Sequence, residues 1–178
     1  LHSTASAHQR VMVIEVMGHK AGWIALHSGM AGGGDIILLP EIPFDIHRIG
    51  DAIINRLKKG KPYSIVVVAE GIPTIGGKKA AQYIAEEIEY ETGFETRETV
   101  LGYIQRGGSP TAYDRNLATR MGGHATELIA QGMFGRMVAL KGNAIESVPL
   151  SEVASKLKLV TEDHDLVVQG RRMGICFG

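Results

Sequence analysis

The sequence predicts an α/β protein in which helices cover both faces of a mostly parallel sheet. Three observations predict this class: short apolar runs typical of buried strands, segments with helical spacing between the runs, and an apolar fraction of 44% over 178 residues, enough to bury a core. The apolar runs lie at residues 11–16, 36–39, 64–69, 99–101 and 137–140. Because most runs are uniformly apolar, we expect strands that are buried on both sides.

The segments between the runs have the spacing of amphipathic helices. In residues 44–59, isoleucine and leucine recur at steps of three and four, at Ile46, Ile49, Ile53 and Leu57. Similar apolar faces predict helices within residues 78–92 and 112–131. A further helix is predicted at residues 21–31, and glycines 32–34 are expected to end it rather than to bind a phosphate, because they precede a strand.

The predicted topology indicates where a ligand would bind. In open parallel sheets, ligands bind beyond the carboxyl ends of the strands. The loops expected to carry function are therefore residues 17–22, 70–77 and 102–114. Glu15 lies inside an apolar strand, so we also expect its carboxylate to have a hydrogen-bonding partner.

The charge balance favours a small partner. Nineteen Lys and Arg balance nineteen Asp and Glu, so we expect no nucleic-acid partner and no attraction to an anionic membrane. No apolar run approaches the roughly 20 residues of a membrane helix, so no membrane span is expected. A single cysteine, Cys176, argues against a disulfide framework and favours the cytoplasm.

Residues 95–110, with the sequence ETRETVLGYIQRGGSP, carry the main chemical signal. Arg97 is expected to precede a short strand and Arg106 to follow it, beside two glycines. Two guanidinium groups near one strand end can fork around a phosphate, and the glycines allow the backbone to approach the ligand. The alternative is that both arginines form surface ion pairs with Glu95, Glu98 or Asp114.

Several segments together resemble the phosphofructokinase family. TRETVLGYIQRGG at residues 96–108 continues into DRNLATR at residues 114–120. HQR at residues 8–10, EVMG at residues 15–18 and AEG at residues 69–71 resemble further motifs of the family, in the same order. The resemblance extends over nearly the whole chain, and the fold it implies is the substrate-binding lobe of a phosphofructokinase.

The resemblance implies a fructose 6-phosphate site. The substrate-binding residues that it implies are Arg10, Met17, Gly18, His19, Glu70, Arg97, Tyr103 and Arg106. The three arginines would hold the 6-phosphate with Tyr103 beside them, while Glu70 would accept hydrogen bonds from sugar hydroxyls and the backbone of Met17 and Gly18 would line the pocket. In this family the residues corresponding to Arg10 and Arg97 reach the phosphate from a neighbouring subunit, which implies a homodimer or homotetramer with shared active sites.

The reaction implied by the resemblance is glycolytic phosphorylation of the 1-hydroxyl of fructose 6-phosphate, with ATP or pyrophosphate as donor and Mg²⁺ as cofactor. The donor-binding and catalytic motifs of the family do not occur in these residues, so residues 1–178 are expected to be the fructose 6-phosphate-binding portion, with no catalytic residue and no metal ligand. The alternative interpretation is a non-catalytic sugar-phosphate-binding regulatory lobe.

Two positions depart from the best-known bacterial ATP-dependent members. Tyr103 stands where those enzymes have histidine, and His19 stands where they have arginine. Tyrosine at the first position resembles the pyrophosphate-using or mixed branch of the family. For Glu70, capping of its own following turn is the competing interpretation.

Overall fold

The computed structural model describes residues 2–178, and strands alternate with helices through most of this range. In chain order the elements are α1 (His2–His8), β1 (Val11–Val16), α2 (Trp23–Ala31), β2 (Ile36–Leu38), α3 (Ile46–Lys58), β3 (Ser64–Ala69), α4 (Ala80–Thr92), β4 (Thr96–Val100), a 3-10 helix (Gly102–Arg106), α5 (Ala112–Ala130), β5 (Arg136–Lys141), β6 (Ala144–Pro149), α6 (Leu150–Val153) and α7 (Asp165–Arg172). The described residues form two compact units: residues 2–105 with 159–178, and Arg106–Lys158.

The first unit contains the parallel sheet that the apolar runs predict. Its strand order is β2-β3-β1-β4, and every pairing is parallel. All six residues of β3 and five of the six residues of β1 are buried. The predicted α/β class is confirmed, and the uniform apolar runs are indeed strands with both faces covered.

Helices cover both faces of this sheet. On one face, Val13 of β1 packs in a cluster with Ile49 of α3 and Ile84 of α4. On the other face, α2 and α7 contribute Leu26 and Val167 to a second cluster, to which α1 also belongs. The alternation of side chains along each strand divides the apolar residues between these two clusters. The sheet is therefore a rigid middle layer from which loops leave at two opposite edges.

The second unit has a different architecture. It contains α5, α6 and a hairpin in which β5 pairs antiparallel with β6. The run at residues 137–140 is thus a strand, but it belongs to a separate two-stranded sheet. Gly142 has a φ of +59°, the left-handed conformation that a tight hairpin loop requires. The strand β6 and the helices α1, α6 and α7 were not predicted.

The element boundaries largely agree with the expectations. The glycines after α2 end that helix, as expected: Gly33 has a φ of +70° and the Gly34 N–H donates to the carbonyl oxygen of Gly29 at 2.7 Å, which is the Schellman arrangement. One expectation was wrong, because β4 begins at Thr96 and Arg97 lies inside it rather than before it. No helix among the described residues is long and apolar enough to cross a membrane.

Candidate functional site

The loop after β1 lies at the carboxyl edge of the sheet, beside the loop after β3. β1 and β3 run parallel with Val16 opposite Ala69, so the loops that follow the two strands leave the sheet side by side. The backbone in this loop turns sharply: Gly18 has a φ of +151° and His19 a φ of +53°. A Cβ on Gly18 would lie 2.4 Å from the carbonyl oxygen of Ala21, so only glycine fits there. We call residues 17–22 the sugar loop, after the role that the sequence resemblance implies for them.

Glu70 holds the sugar loop through its carboxylate. Oε1 of Glu70 accepts hydrogen bonds from the backbone N–H groups of Gly18 at 3.1 Å and His19 at 2.7 Å. These donors belong to the loop after the neighbouring strand, so the carboxylate reaches across the sheet edge. Gly71 makes this approach possible, because a Cβ there would lie 1.9 Å from the carbonyl oxygen of His19.

Two side chains outside the predicted set also hold the sugar loop. Gln105 Oε1 accepts from the Met17 N–H at 3.1 Å. The Glu41 carboxylate accepts from the Gly22 N–H at 2.9 and 3.1 Å, and from the Val160 N–H at 3.0 Å. Glu41 lies shortly after the buried strand β2, and an acceptor side chain in that position was the sequence signal that could have identified it. Gln105 lies in the 3-10 helix after the largely exposed β4 and gave no such signal. Side chains therefore hold the loop backbone at Met17, Gly18, His19 and Gly22.

Arg10 and Arg97 lie at the opposite, amino edge of the sheet. Arg10 immediately precedes β1, and Arg97 is paired with Met12 near the start of β4. Glu95 links the two guanidinium groups: its Oε2 accepts from Arg10 Nε and its Oε1 from Arg97 Nη2, both at 2.7 Å. The surface ion pair considered as the alternative for Arg97 is thus present.

The electrostatics at the amino edge follow from this arrangement. Desolvation raises the pKa of Glu95, but the hydrogen bonds from Arg10 and Arg97 outweigh it and hold that pKa below its ordinary value. The side chains are accessible, with 27% of Arg10, 61% of Arg97 and 44% of Glu95 exposed. A solvent-facing anion can therefore reach both guanidinium groups and compete with the Glu95 carboxylate.

Six of the predicted site residues therefore fall into two groups. Met17, Gly18, His19 and Glu70 lie at the carboxyl edge, whereas Arg10 and Arg97 lie at the amino edge. At about 3.3 Å per residue, the six-residue strand β1 separates the two edges by roughly 20 Å. One small ligand does not reach both groups of a single chain.

Tyr103 and Arg106 lie in the 3-10 helix Gly102–Arg106, after the carboxyl end of β4. Tyr103 is 80% exposed, and Arg106, also exposed, is the first residue of the second unit. Arg97 and Arg106 are thus separated in sequence by nearly the whole of β4, so the expectation of two arginines at one strand end was wrong. Glu15 has the partner that was expected, since the Ala81 N–H donates to its buried Oε2 at 2.8 Å.

The fold and this loop define a class of protein: a parallel α/β domain with a hydrogen-bonded loop at the carboxyl edge of its sheet, which is where open parallel sheets bind ligands. The phosphofructokinase family model matches residues 1–129. The chain belongs to the phosphofructokinase family.

Relatives with known names support the same conclusion. The chain is 82% identical over 178 residues to the ATP-dependent 6-phosphofructokinase 3 of Bacteroides thetaiotaomicron, covering 100% of this chain and 53% of that protein. It is 45% identical over 177 residues to the pyrophosphate–fructose 6-phosphate 1-phosphotransferase of Streptomyces coelicolor, covering 90% of this chain and 52% of that protein. The chain thus spans about half the length of the curated relatives that it matches.

Solved structures share the fold. The pyrophosphate-dependent phosphofructokinase of Nitrosospira multiformis superposes with a TM-score of 0.77 at 29% identity, over 90% of this chain and 44% of that one. The phosphofructokinase of Saccharomyces cerevisiae superposes with a TM-score of 0.73 at 31% identity, over 85% of this chain and 21% of that one.

Proposed function

We propose that this chain is the acceptor-binding portion of a 6-phosphofructokinase. The whole enzyme would transfer a phosphoryl group from ATP or pyrophosphate to the 1-hydroxyl of fructose 6-phosphate, giving fructose 1,6-bisphosphate in cytoplasmic glycolysis. The observation that carries the proposal is the contact between two family motifs, in which Glu70 of one holds the backbone of Gly18 and His19 of the other. Residues that are distant in sequence thereby build one hydroxyl-binding surface.

In this proposal the sugar lies against the sugar loop. The Glu70 carboxylate accepts hydrogen bonds from sugar hydroxyls, while the backbone of Met17, Gly18 and His19 lines the pocket. Tyr103 and Arg106 are assigned to the 6-phosphate on the basis of the sequence motif. The acceptor oxygen forms a new bond to phosphorus as the donor's phosphorus–oxygen bond breaks, and the hydroxyl proton passes to a base that we assign to the part of the enzyme outside this chain.

Arg10 and Arg97 act on the ligand of a neighbouring subunit in this proposal, so the active enzyme is a homodimer or homotetramer. The separation of about 20 Å between the two edges of the sheet supports this arrangement, because a hexose phosphate is shorter than that. Two copies of the chain that bring the amino edge of one to the carboxyl edge of the other would supply both groups to one substrate.

Magnesium would neutralise charge on the donor phosphates. Among the described residues there is no group of three or more His, Cys, Asp or Glu side chains that could hold a metal ion. We propose that the donor and its magnesium bind to the part of the whole enzyme that corresponds to the half of the relatives that this chain does not span.

The test is an assay of the full-length parent protein for fructose 1,6-bisphosphate, with ATP and with pyrophosphate in parallel. Both donors are needed because relatives named for each of them match this chain. We expect product with at least one donor. Tight binding of fructose 6-phosphate without product from either donor would overturn the proposal and favour the non-catalytic regulatory lobe.

A further inference from the structure

The sheet ladder between β1 and β4 stops one step before the sugar loop. Alternate residues of β1 bond to β4: the Val11 N–H donates to the Glu95 carbonyl at 3.2 Å, and the Glu15 carbonyl accepts from Leu101 N–H at 3.2 Å. The next N–H of β1 on this side belongs to Met17. At Gly102, with a φ of +57°, the chain turns out of the sheet into the 3-10 helix, so β4 supplies no further backbone carbonyl in ladder register.

The Gln105 side chain replaces the missing ladder carbonyl. Its Oε1 accepts from the Met17 N–H at 3.1 Å, and its Nε2 donates to the Gly102 carbonyl at 3.0 Å. The amide supplies an acceptor and a donor from two neighbouring atoms, and the two partners fix its orientation. Because Gln105 is half-buried, loss of this side chain would leave the Met17 N–H without its acceptor in a partly desolvated position.

The two partners of Gln105 lie on two different functional segments. Met17 begins the sugar loop, and Gly102 begins the 3-10 helix that carries Tyr103. In a hexose 6-phosphate the ring hydroxyls and the phosphate are joined by a short covalent link, so the protein groups that bind them must keep a fixed spacing. A hydrogen-bonded amide between the segments is a direct means of keeping that spacing.

We infer that Gln105 is a positioning residue that holds the sugar loop in register with the 3-10 helix, so that hydroxyl recognition and phosphate recognition are set together. This inference rests on the proposed function. Gln105 touches neither the sugar nor the phosphate in this arrangement, and it acts through Met17 and Gly102.

The test compares Gln105→Met with the matched control Gln82→Met in the full-length enzyme. Methionine keeps the length of the side chain and removes both hydrogen bonds. The control makes the same substitution at Gln82 on α4, whose side chain donates a hydrogen bond to Glu86. We expect Gln105→Met to raise the KM for fructose 6-phosphate about tenfold, with the donor KM unchanged, because the lost hydrogen bond to the Met17 N–H, which holds the sugar loop, is worth roughly 1–1.5 kcal/mol. The control should leave both KM values at the wild-type level.

Two further measurements separate positioning from general stability. Hydrogen-exchange mass spectrometry should show faster exchange at the Met17 amide in Gln105→Met and not in Gln82→Met. In an Arg106→Ala background, Gln105→Met should raise the fructose 6-phosphate KM by no more than about twofold, because the phosphate contact to be kept in register is already lost.

The outcomes distinguish this inference from the proposed function. If wild-type enzyme forms product but Gln105→Met raises the KM equally in both backgrounds, or raises the donor KM to the same extent, Gln105 is a structural support and the inference is overturned. If wild-type enzyme neither binds fructose 6-phosphate nor forms product, the proposed function fails and the role of Gln105 fails with it.

Discussion

The two edges of the parallel sheet use opposite strategies to prepare for a ligand. At the carboxyl edge, the side chains of Gln105, Glu70 and Glu41 accept hydrogen bonds from the backbone of one loop. At the amino edge, one carboxylate, that of Glu95, accepts from the half-buried Arg10 and the exposed Arg97 side chains. The arrangement at the carboxyl edge fixes the backbone of the sugar loop, whereas the arrangement at the amino edge places two guanidinium groups where solvent can reach them.

The difference indicates what each edge can bind. A preorganised backbone with a carboxylate suits neutral hydroxyl groups. Their hydrogen bonds are weak, and the free energy gained from them would not offset the entropy lost by ordering a mobile loop. Exposed guanidinium groups suit an anion, because a phosphate can replace the Glu95 carboxylate and form bidentate hydrogen bonds. In the proposed function the two edges are thus complementary halves of a sugar-phosphate site, although they lie at opposite ends of the strands of one chain.

The largest effect is expected from Glu70→Ala in the full-length enzyme. The change removes the acceptor shared by the Gly18 and His19 N–H groups and, in the proposed function, the acceptor for sugar hydroxyls. Hydrogen bonds to a charged group are worth about 1.5–3 kcal/mol, so kcat/KM for fructose 6-phosphate should fall by about 10- to 150-fold. The control is Glu162→Ala, measured by the same steady-state kinetics. This change removes a surface carboxylate that forms an ion pair with Arg171. Equal kinetics in the Glu70→Ala and Glu162→Ala variants would contradict the proposal that the carboxyl edge binds sugar hydroxyls.

A smaller effect is expected from Arg97→Ala, because 61% of this side chain is exposed and solvent screens its charge. The KM for fructose 6-phosphate should rise by about three- to tenfold. Mixed oligomers of Arg97→Ala subunits and Arg106→Ala subunits should regain activity, since some sites then receive both intact arginines from different subunits. Mixtures no more active than the separate variants would show that the site is not shared.

The smallest effect is expected from Glu95→Gln, measured as stability against pH. The hydrogen bonds from Arg10 and Arg97 lower the pKa of Glu95 in the folded protein. Its carboxylate therefore stabilises the fold at pH values above its unfolded pKa of about 4.3, and this contribution is lost as the pH falls through the lower, folded pKa. The urea midpoint of unfolding should be lower in Glu95→Gln than in wild type at neutral pH. The difference between the two midpoints should disappear as the pH falls below about 4. Equal urea midpoints for Glu95→Gln and wild type at neutral pH would contradict this prediction.

The fold of the first unit could be predicted because its pattern is local. The runs at Val11–Val16 and Ser64–Ala69 are apolar throughout, and the helical faces between the strands recur at steps of three and four. The helix α1 was missed because Ala5 is its one buried residue, which leaves no periodic signal. The strand β6 was missed because none of its residues is buried and its partner is specified by the hairpin at Gly142 rather than by hydrophobicity.

The functional residues could be named from motifs, but their grouping could not. Motif spacing placed Arg97 and Arg106 nine positions apart and suggested one phosphate fork, whereas Arg97 lies near the amino end of β4 and is bound to Glu95. The roles of Gln105 and Glu41 as acceptors for the sugar loop also depend on contacts between segments that lie far apart in the chain.

The sequence by itself determined the family, the α/β class and the identity of the candidate binding residues, because local composition and motif order carry that information. Only the tertiary structure decided which edge of the sheet each residue occupies. Strand direction and register set that edge, and they are properties of pairing between segments. The pairing of β1 with β3 and β4 brings Glu70 and Gln105 to the sugar loop and leaves Arg10 and Arg97 roughly 20 Å away.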